Sequence, residues 1–178
     1  MIKVAGLSDR QRVDGLVSFT PGTEQQNDRV DRFELFLDGR RIARCSLGEP
    51  FSLDTTLLAD GWHELRVVGS ENTAIESQGG TSLNIVVDNH GRSVEFVGPE
   101  KPGVKDDKSI TIRARSVGAT QIRLFSNGQP LAQIPGPGGK VILKAGHLGR
   151  GPVVLRAVAY HKNLPHAIAE PIRLHVTE

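Results

Sequence analysis

Aromatic residues are scarce in this chain, at 4% of 178 positions. A core with so little ring bulk must be built from Val, Leu and Ile. Single-stranded nucleic acid, which is held by bases stacked on interleaved aromatics and cations, finds no such pattern here. Cysteine occurs once, at Cys45, so no intrachain disulfide forms. No His or acid pattern surrounds Cys45, which reads as a small buried residue rather than a nucleophile. No apolar run approaches the roughly 18 residues of a membrane helix, which excludes insertion by that route. Met1-Ile2-Lys3 leads directly into polar sequence without a signal peptide, so the start reads as an internal fragment behind an initiator Met. Helical periodicity is also missing, with no segment of ten or more residues sustaining it.

What is present is punctuation. The chain carries Gly 20 and Pro 10, and Gly, Pro, Asn or Asp interrupts Val/Leu/Ile-rich stretches every 8–12 residues. That pattern predicts short strands. Arg32–Leu37 is a strand closed by Asp38-Gly39, a hairpin signal, and Arg41–Ser46 returns. Phe51–Asp54 is short, Thr55–Leu58 makes a corner, Asp60-Gly61 a tight turn, and Trp62–Ser70 a long strand. Ser82–Asp88 closes this half, and the segments 21–31 and 71–80 read as loops. Further strands are expected at Ile2–Leu7, Gly15–Thr20, Ser93–Gly98, Ser109–Ala114, Gln121–Ser126, Pro130–Ile134, Val141–Lys144, Val153–Tyr160 and Glu170–Val176.

The second half copies the first. FELFLDG (33–39) lies over IRLFSNG (122–128), LLADGWHELRVV (57–68) over HLGRGPVVLRAV (147–158), and LNIVV (83–87) over IRLHV (172–176), at offsets of 89, 90 and 89 residues. A repeat of this length marks a duplicated unit. Side chains alternate along a strand, so one face of each long strand must be core. His63, Leu65, Val67 and Gly69 match Val153, Leu155, Ala157 and Ala159 as that inner face. About seven such strands in each unit of about 90 residues, with one wet face, predict antiparallel sandwiches. The expected fold is therefore all-β, two tandem immunoglobulin-like antiparallel β-sandwiches, one at 1–89 and a diverged repeat at 92–178. The halves differ in charge: residues 1–89 hold 9 Lys+Arg against 14 Asp+Glu, net −5, and residues 90–178 hold 13 against 6, net +7.

One set of residues in the first half is more specific. Asp38-Gly39, Pro50-Phe51-Ser52, Asp54-Thr55-Thr56, Leu58, Asp60-Gly61, His63, Leu65 and Val87-Asp88-Asn89 follow one another over about 57 residues. This run resembles the bacterial immunoglobulin-like (Big-type) domains found in tandem in large surface and secreted proteins. The second half departs from the pattern, with Gly139-Lys140-Val141 in place of Pro-Phe-Ser, Arg150 for Asp60 and Val153 for His63. The resemblance implies an extracytoplasmic, secreted or cell-surface, non-catalytic module of a larger bacterial protein. Its partners would be other domains of that parent.

Chemistry is not evident among the remaining candidates. The six histidines show no zinc-ligand spacing, and His161 and His166 flank Leu164-Pro165 in an expected loop. Asp106-Asp107 and Asp88-Asn89 lack the oxygen-rich run of a calcium site, and Gly136–Gly139 lacks the following helix of a phosphate cradle. No catalytic residue, metal or cofactor is expected. His63, replaced by Val in the copy, is expected in the core with its imidazole bonded to a backbone carbonyl. Phe36 and Phe125 occupy equivalent outward positions, with Val68 and Val158 on the neighbouring strand and Tyr160 joining them in the second half. This stripe reads either as a protein-binding interface or as cross-strand packing under the stems of Arg66 and Arg156. The other class of function is a module for acidic polysaccharide using Arg113, Arg115, Arg123, Arg156 and Lys162, with Trp62, expected exposed at a turn tip, and Tyr160 as the available sugar platforms.

Overall fold

The computed structural model describes residues 1–24, 30–71 and 78–178. The expected loops at 21–31 and 71–80 fall in part outside the described residues; within them, residues 21–23, 30–31, 71 and 78–80 are strand and not loop. The chain divides into two units, one of Met1–Leu58 with His63–Asn89, the other of Ala59–Trp62 with His90–Glu178.

In the first unit the strands are β1 (Ile2–Ala5), β2 (Gln11–Val13), β3 (Leu16–Thr23), β4 (Val30–Leu37), β5 (Arg40–Ser46), β6 (Phe51–Asp54), β7 (Asp60–Glu71, of which residues 60–62 belong to the second unit) and β8 (Gln78–Val87). They form a three-stranded sheet, β1-β3-β6, and a second sheet in the order β5-β4-β7-β8-β2, with β2 parallel to β8. The first stretch of chain thus serves both layers, β1 in one and β2 in the other. Between them lies a core of Phe19, Phe33, Phe51, Leu35, Leu65, Ile85 and their neighbours.

The second unit repeats this order. Its strands are β9 (Glu95–Val97), β10 (Gly103–Lys105), β11 (Ser109–Arg115), β12 (Gln121–Ser126), β13 (Gln129–Pro135), β14 (Gly138–Lys144), β15 (Gly151–His161), β16 (Leu164–Ile168) and β17 (Ile172–Thr177). One sheet is β14-β11-β9; in the other, β13, β12, β15, β17 and β10 follow in order, and β10 is parallel to β17. Its own core holds Ile112, Ile122, Leu124, Val153, Leu155 and Ala157. Each unit is an immunoglobulin-like β-sandwich. Among the described residues the only helical pieces are two 3-10 turns, Thr55–Leu57 and Ala145–Leu148, at equivalent corners.

The hairpin turns show why the repeat is exact in register. Asp38 and Asn127 both adopt positive φ, 49° and 47°, each followed by a glycine, as a two-residue turn with the twist of its strands requires. Both then bond the neighbouring long strand. Asp38 Oδ1 accepts from Glu64 N–H at 3.0 Å, and Asn127 Oδ1 accepts from Val154 N–H at 2.8 Å. A side chain that short reaches only one register, so the turn residue locks β4 to β7 and β12 to β15.

The inner face of β7 is as expected, with Leu65 and Val67 fully buried and His63 3% exposed. Gly69 has a packing reason for lacking a side chain: a Cβ there would stand 2.7 Å from Ile2 Cδ1 and 3.1 Å from the Phe33 ring. Several expectations need correction. Asp60-Gly61 is no turn: β7 is already paired there, Asp60 with Ala167 and Gly61 with Ile168, in parallel. A Cβ on Gly61 would lie 2.0 Å from Ile168 O, so only glycine fits. Trp62 consequently sits inside a strand and is buried at 9% exposure. Val68, on the outward face of the same strand, is 6% exposed, which agrees with the cross-strand packing alternative. The His161–His166 loop contains strand β16, a hairpin return on β15.

Candidate functional site

The outer face of the β12–β15 pair carries the candidate apolar stripe. Phe125 stands opposite Arg156 on β15 and opposite Pro130 on β13; Arg123 stands opposite Val158, and Gln121 opposite Tyr160. Alternation puts Arg123, Phe125, Val154, Arg156, Val158 and Tyr160 on one side. Phe125, Val154 and Val158 are half-buried and, with Arg156, Asn127 and Gly128, line a surface depression of about 490 Å³. The Arg123 guanidinium lies over the Tyr160 ring, 4.5 Å from its centroid, a cation–π contact that holds the ring down on the sheet.

Phe36 occupies the same register in the first unit, opposite Arg66 as Phe125 is opposite Arg156. Its setting is more polar. Glu34, opposite Val68, bonds Arg41 at 2.8 Å beside it. The sequence-derived set therefore separates: Phe125, Arg156 and Tyr160 share one face of the second unit, Phe36 stands on its counterpart in the first, and Trp62 is buried.

A second surface was only half visible in the sequence. On the three-stranded sheet of the second unit, Arg113 stands opposite Lys140 on β14 and Val97 on β9, and Arg115 stands opposite Gly138 and Glu95. Ile110, Ile112 and Ala114 alternate inward and are buried, so both arginines point to solvent. The two arginines, with Glu95, Val97, Lys140 and the segment 137–139, line an open groove of about 690 Å³. Arg113 and Arg115 were legible as part of the basic second half. Lys140, Glu95 and the glycine floor were not, because their meeting depends on the pairing of β11 with two strands that are separate from it in sequence.

The remaining polar residues are mostly committed to structure. His63 Nδ1 bonds the turn carboxylate Asp38 Oδ2 at 2.7 Å. Asp60, fully buried, accepts from the backbone N–H groups of His90 and Arg92 at 3.0 and 2.8 Å. His161 and His166 bond the carbonyls of Gly118 and Val117. Cys45 is half-buried rather than buried, on β5; desolvation, then the nearby Glu49 carboxylate, pushes its thiol pKa up and keeps it protonated at neutral pH. Asp9 is shifted the other way: its carboxylate accepts from the backbone and side-chain N–H groups of Asn84, which lowers its pKa. Among the described residues no three His, Cys, Asp or Glu stand together as a metal site, and no helix is long and apolar enough to cross a membrane.

Comparison with known proteins identifies no matching family model and no matching curated protein. Solved structures do align. The fibronectin(III)-like modules of Clostridium thermocellum CbhA match at 14% identity and TM-score 0.42, over 99% of this chain and 93% of theirs. The Bacteroides ovatus SGBP-B of a mixed-linkage glucan utilization locus, solved with a mixed-linkage heptasaccharide, matches at 14% and 0.47; 99% of this chain covers 44% of that one. The ligand-binding domain of human OSCAR matches at 16% and 0.34, over 90% and 91%.

Proposed function

We propose that the chain is a non-catalytic interaction module of a larger extracytoplasmic bacterial protein, built as two tandem immunoglobulin-like domains at 1–89 and 92–178. Its role is to space or present neighbouring domains of the parent and to make protein contacts. The observation that carries this reading is the outer face of β12 and β15, where Phe125, Val154, Arg156 and Val158 line one depression. A half-buried Phe between an Arg and small apolar side chains matches the composition of interface centres, which favour aromatics and Arg.

The test titrates the chain against the flanking domains of its parent polypeptide. Phe125→Ser weakens association by about tenfold or more, as loss of a central aromatic anchor does. Phe36→Ser has a smaller effect, since its surroundings already carry the Arg41–Glu34 ion pair. Unchanged association of a folded Phe125→Ser variant removes this face from the proposal.

A further inference from the structure

We propose that the groove across β9, β11 and β14 binds an acidic polysaccharide, with Arg113, Arg115 and Lys140 taking sugar carboxylates and Glu95 taking sugar hydroxyls. Four observations lead there, none involving the Phe125 face.

The first is unspent charge. Arg12, Arg41 and Arg150 each hold a carboxylate at 2.8 Å. Arg113, Arg115 and Lys140 make no ion pair or side-chain hydrogen bond among the described residues, yet all three line one groove. Three cations left together repel one another, and an anion in the groove relieves that repulsion. Arg113 and Arg115 are two residues apart on one strand, which spaces their Cα atoms by about 7 Å on the same face. Each guanidinium fork matches a carboxylate in a bidentate way.

The second is the groove's direction. It is lined by Glu95 and Val97 of β9, by β11, and by Pro137–Lys140, so it crosses the three strands. An occupant lying across strands meets side chains and not the ladder groups of a sheet edge. That disfavours a peptide added as a strand and suits a polymer carrying its own polar groups along its length.

The third is Glu95. A carboxylate accepts hydrogen bonds only. Among three cations it weakens the hold on a purely anionic chain, whereas it suits a ligand that pairs each carboxylate with neighbouring hydroxyls. A uronic-acid polymer has both. The fourth is the floor. At Gly138 a Cβ would stand 3.1 Å from Ala114 O and 3.2 Å from Arg115 Cγ. With no side chain there, the ligand approaches the sheet and Arg115 keeps its course. Among the described lining residues there is no aromatic ring, so a neutral glycan has no stacking platform in this groove.

The experiment uses the intact chain and three probes: polygalacturonate, polyglutamate of matched charge, and dextran. Binding is measured by calorimetry and affinity electrophoresis at low and physiological salt. Polygalacturonate binds, dextran does not, and polyglutamate binds more weakly. Arg113→Gln with Arg115→Gln weakens polygalacturonate binding by about tenfold or more, consistent with loss of two charge-assisted pairs. Arg173→Gln with Lys101→Gln, which removes the same charge from residues that do not line the groove, leaves it within about twofold. Glu95→Gln weakens polygalacturonate but strengthens polyglutamate. The proposal is overturned by no polygalacturonate binding at low salt, by equal loss in the two double variants, or by polyglutamate binding as tightly as polygalacturonate, the last result pointing to an acidic protein partner. Thermal unfolding of each variant confirms that the sandwich persists. Phe125→Ser leaves every one of these values unchanged, so failure here and failure of the protein-contact reading are separable.

Discussion

In the first unit Asn89, at the end of the closing strand, holds the corner of the sandwich with neutral bonds. It accepts from Gly15 N–H at 2.9 Å and donates to Thr55 O at 2.7 Å, while the buried Thr55 hydroxyl donates to Gly15 O at 2.8 Å. In the second unit the corresponding position is Glu178, and the corner is held by charge: Arg150 bonds both Asp106 and Glu178. The 3-10 turn is common to both, and so is its buried first residue, Thr55 in one and Ala145 in the other. Strand order, the turn residue at positive φ and the core alternation recur. The hydrogen-bond chemistry at the corners, the His63–Asp38 pair and the two outer faces do not.

The largest expected effect breaks the cores separately. Phe33 and Ile122 are equivalent and fully buried, each in its own cluster. Phe33→Ala costs about 3–5 kcal/mol and Ile122→Ala about 2–5 kcal/mol, the usual range for such truncations. If the domains proposed at 1–89 and 92–178 fold independently, calorimetry of each variant shows one transition lowered and the other in place. A single transition that moves as a whole under either substitution rejects that division.

Much of this was legible in the sequence because it depends on local chemistry. Asp38-Gly39 and Asn127-Gly128 announce hairpins through the positive φ they tolerate. The period-2 alternation in 63–69 and 153–159 identifies the buried face without knowledge of the partner sheet. What stayed hidden depends on pairing between distant segments. Trp62 follows Asp60-Gly61, which reads as a turn; only the pairing of Asp60 and Gly61 with Ala167 and Ile168 makes it strand interior. The short strands β2 and β10 have three residues each, too few for any periodicity, and exist because the last strand of each sandwich offers them a free edge. Half of the candidate groove was hidden for the same reason. Arg113 and Arg115 advertise charge, but Lys140 and Glu95 join them only through register.

The His63–Asp38 pair can be exchanged residue by residue, because the second unit supplies the replacements. His63→Val imports Val153 and leaves Asp38 Oδ2 without the imidazole at 2.7 Å, on a side chain 34% exposed. Asp38→Asn imports Asn127 and keeps an oxygen for Glu64 N–H. Each single substitution costs about 1–3 kcal/mol by loss of a partly buried hydrogen bond. The double variant, which recreates the second unit's chemistry, is less destabilised than the two singles together. Chemical denaturation of the four proteins gives the coupling directly. Strict additivity would mean that the pair contributes nothing beyond its separate members.

The smallest effect expected is that of Glu178→Gln at the second unit's corner, and salt separates it from the neutral corner of the first unit. Asn89→Ala leaves Gly15 N–H and Thr55 O without the Asn89 side chain, at a cost of about 1–3 kcal/mol that does not depend on ionic strength. Glu178→Gln removes a partner of Arg150 where the side chains are 60% and 82% exposed. Exposed ion pairs of this kind contribute about 0–1 kcal/mol and are screened within about 10 Å at ordinary ionic strength. Denaturation midpoints of both variants at low and high salt should therefore show an Asn89→Ala deficit that persists and a Glu178→Gln deficit that shrinks toward zero. Arg150 keeps its bonds to Asp106 in that variant, so a Glu178→Gln loss as large as that of Asn89→Ala would show that the second unit's corner works as one coupled charge network rather than as separate surface pairs.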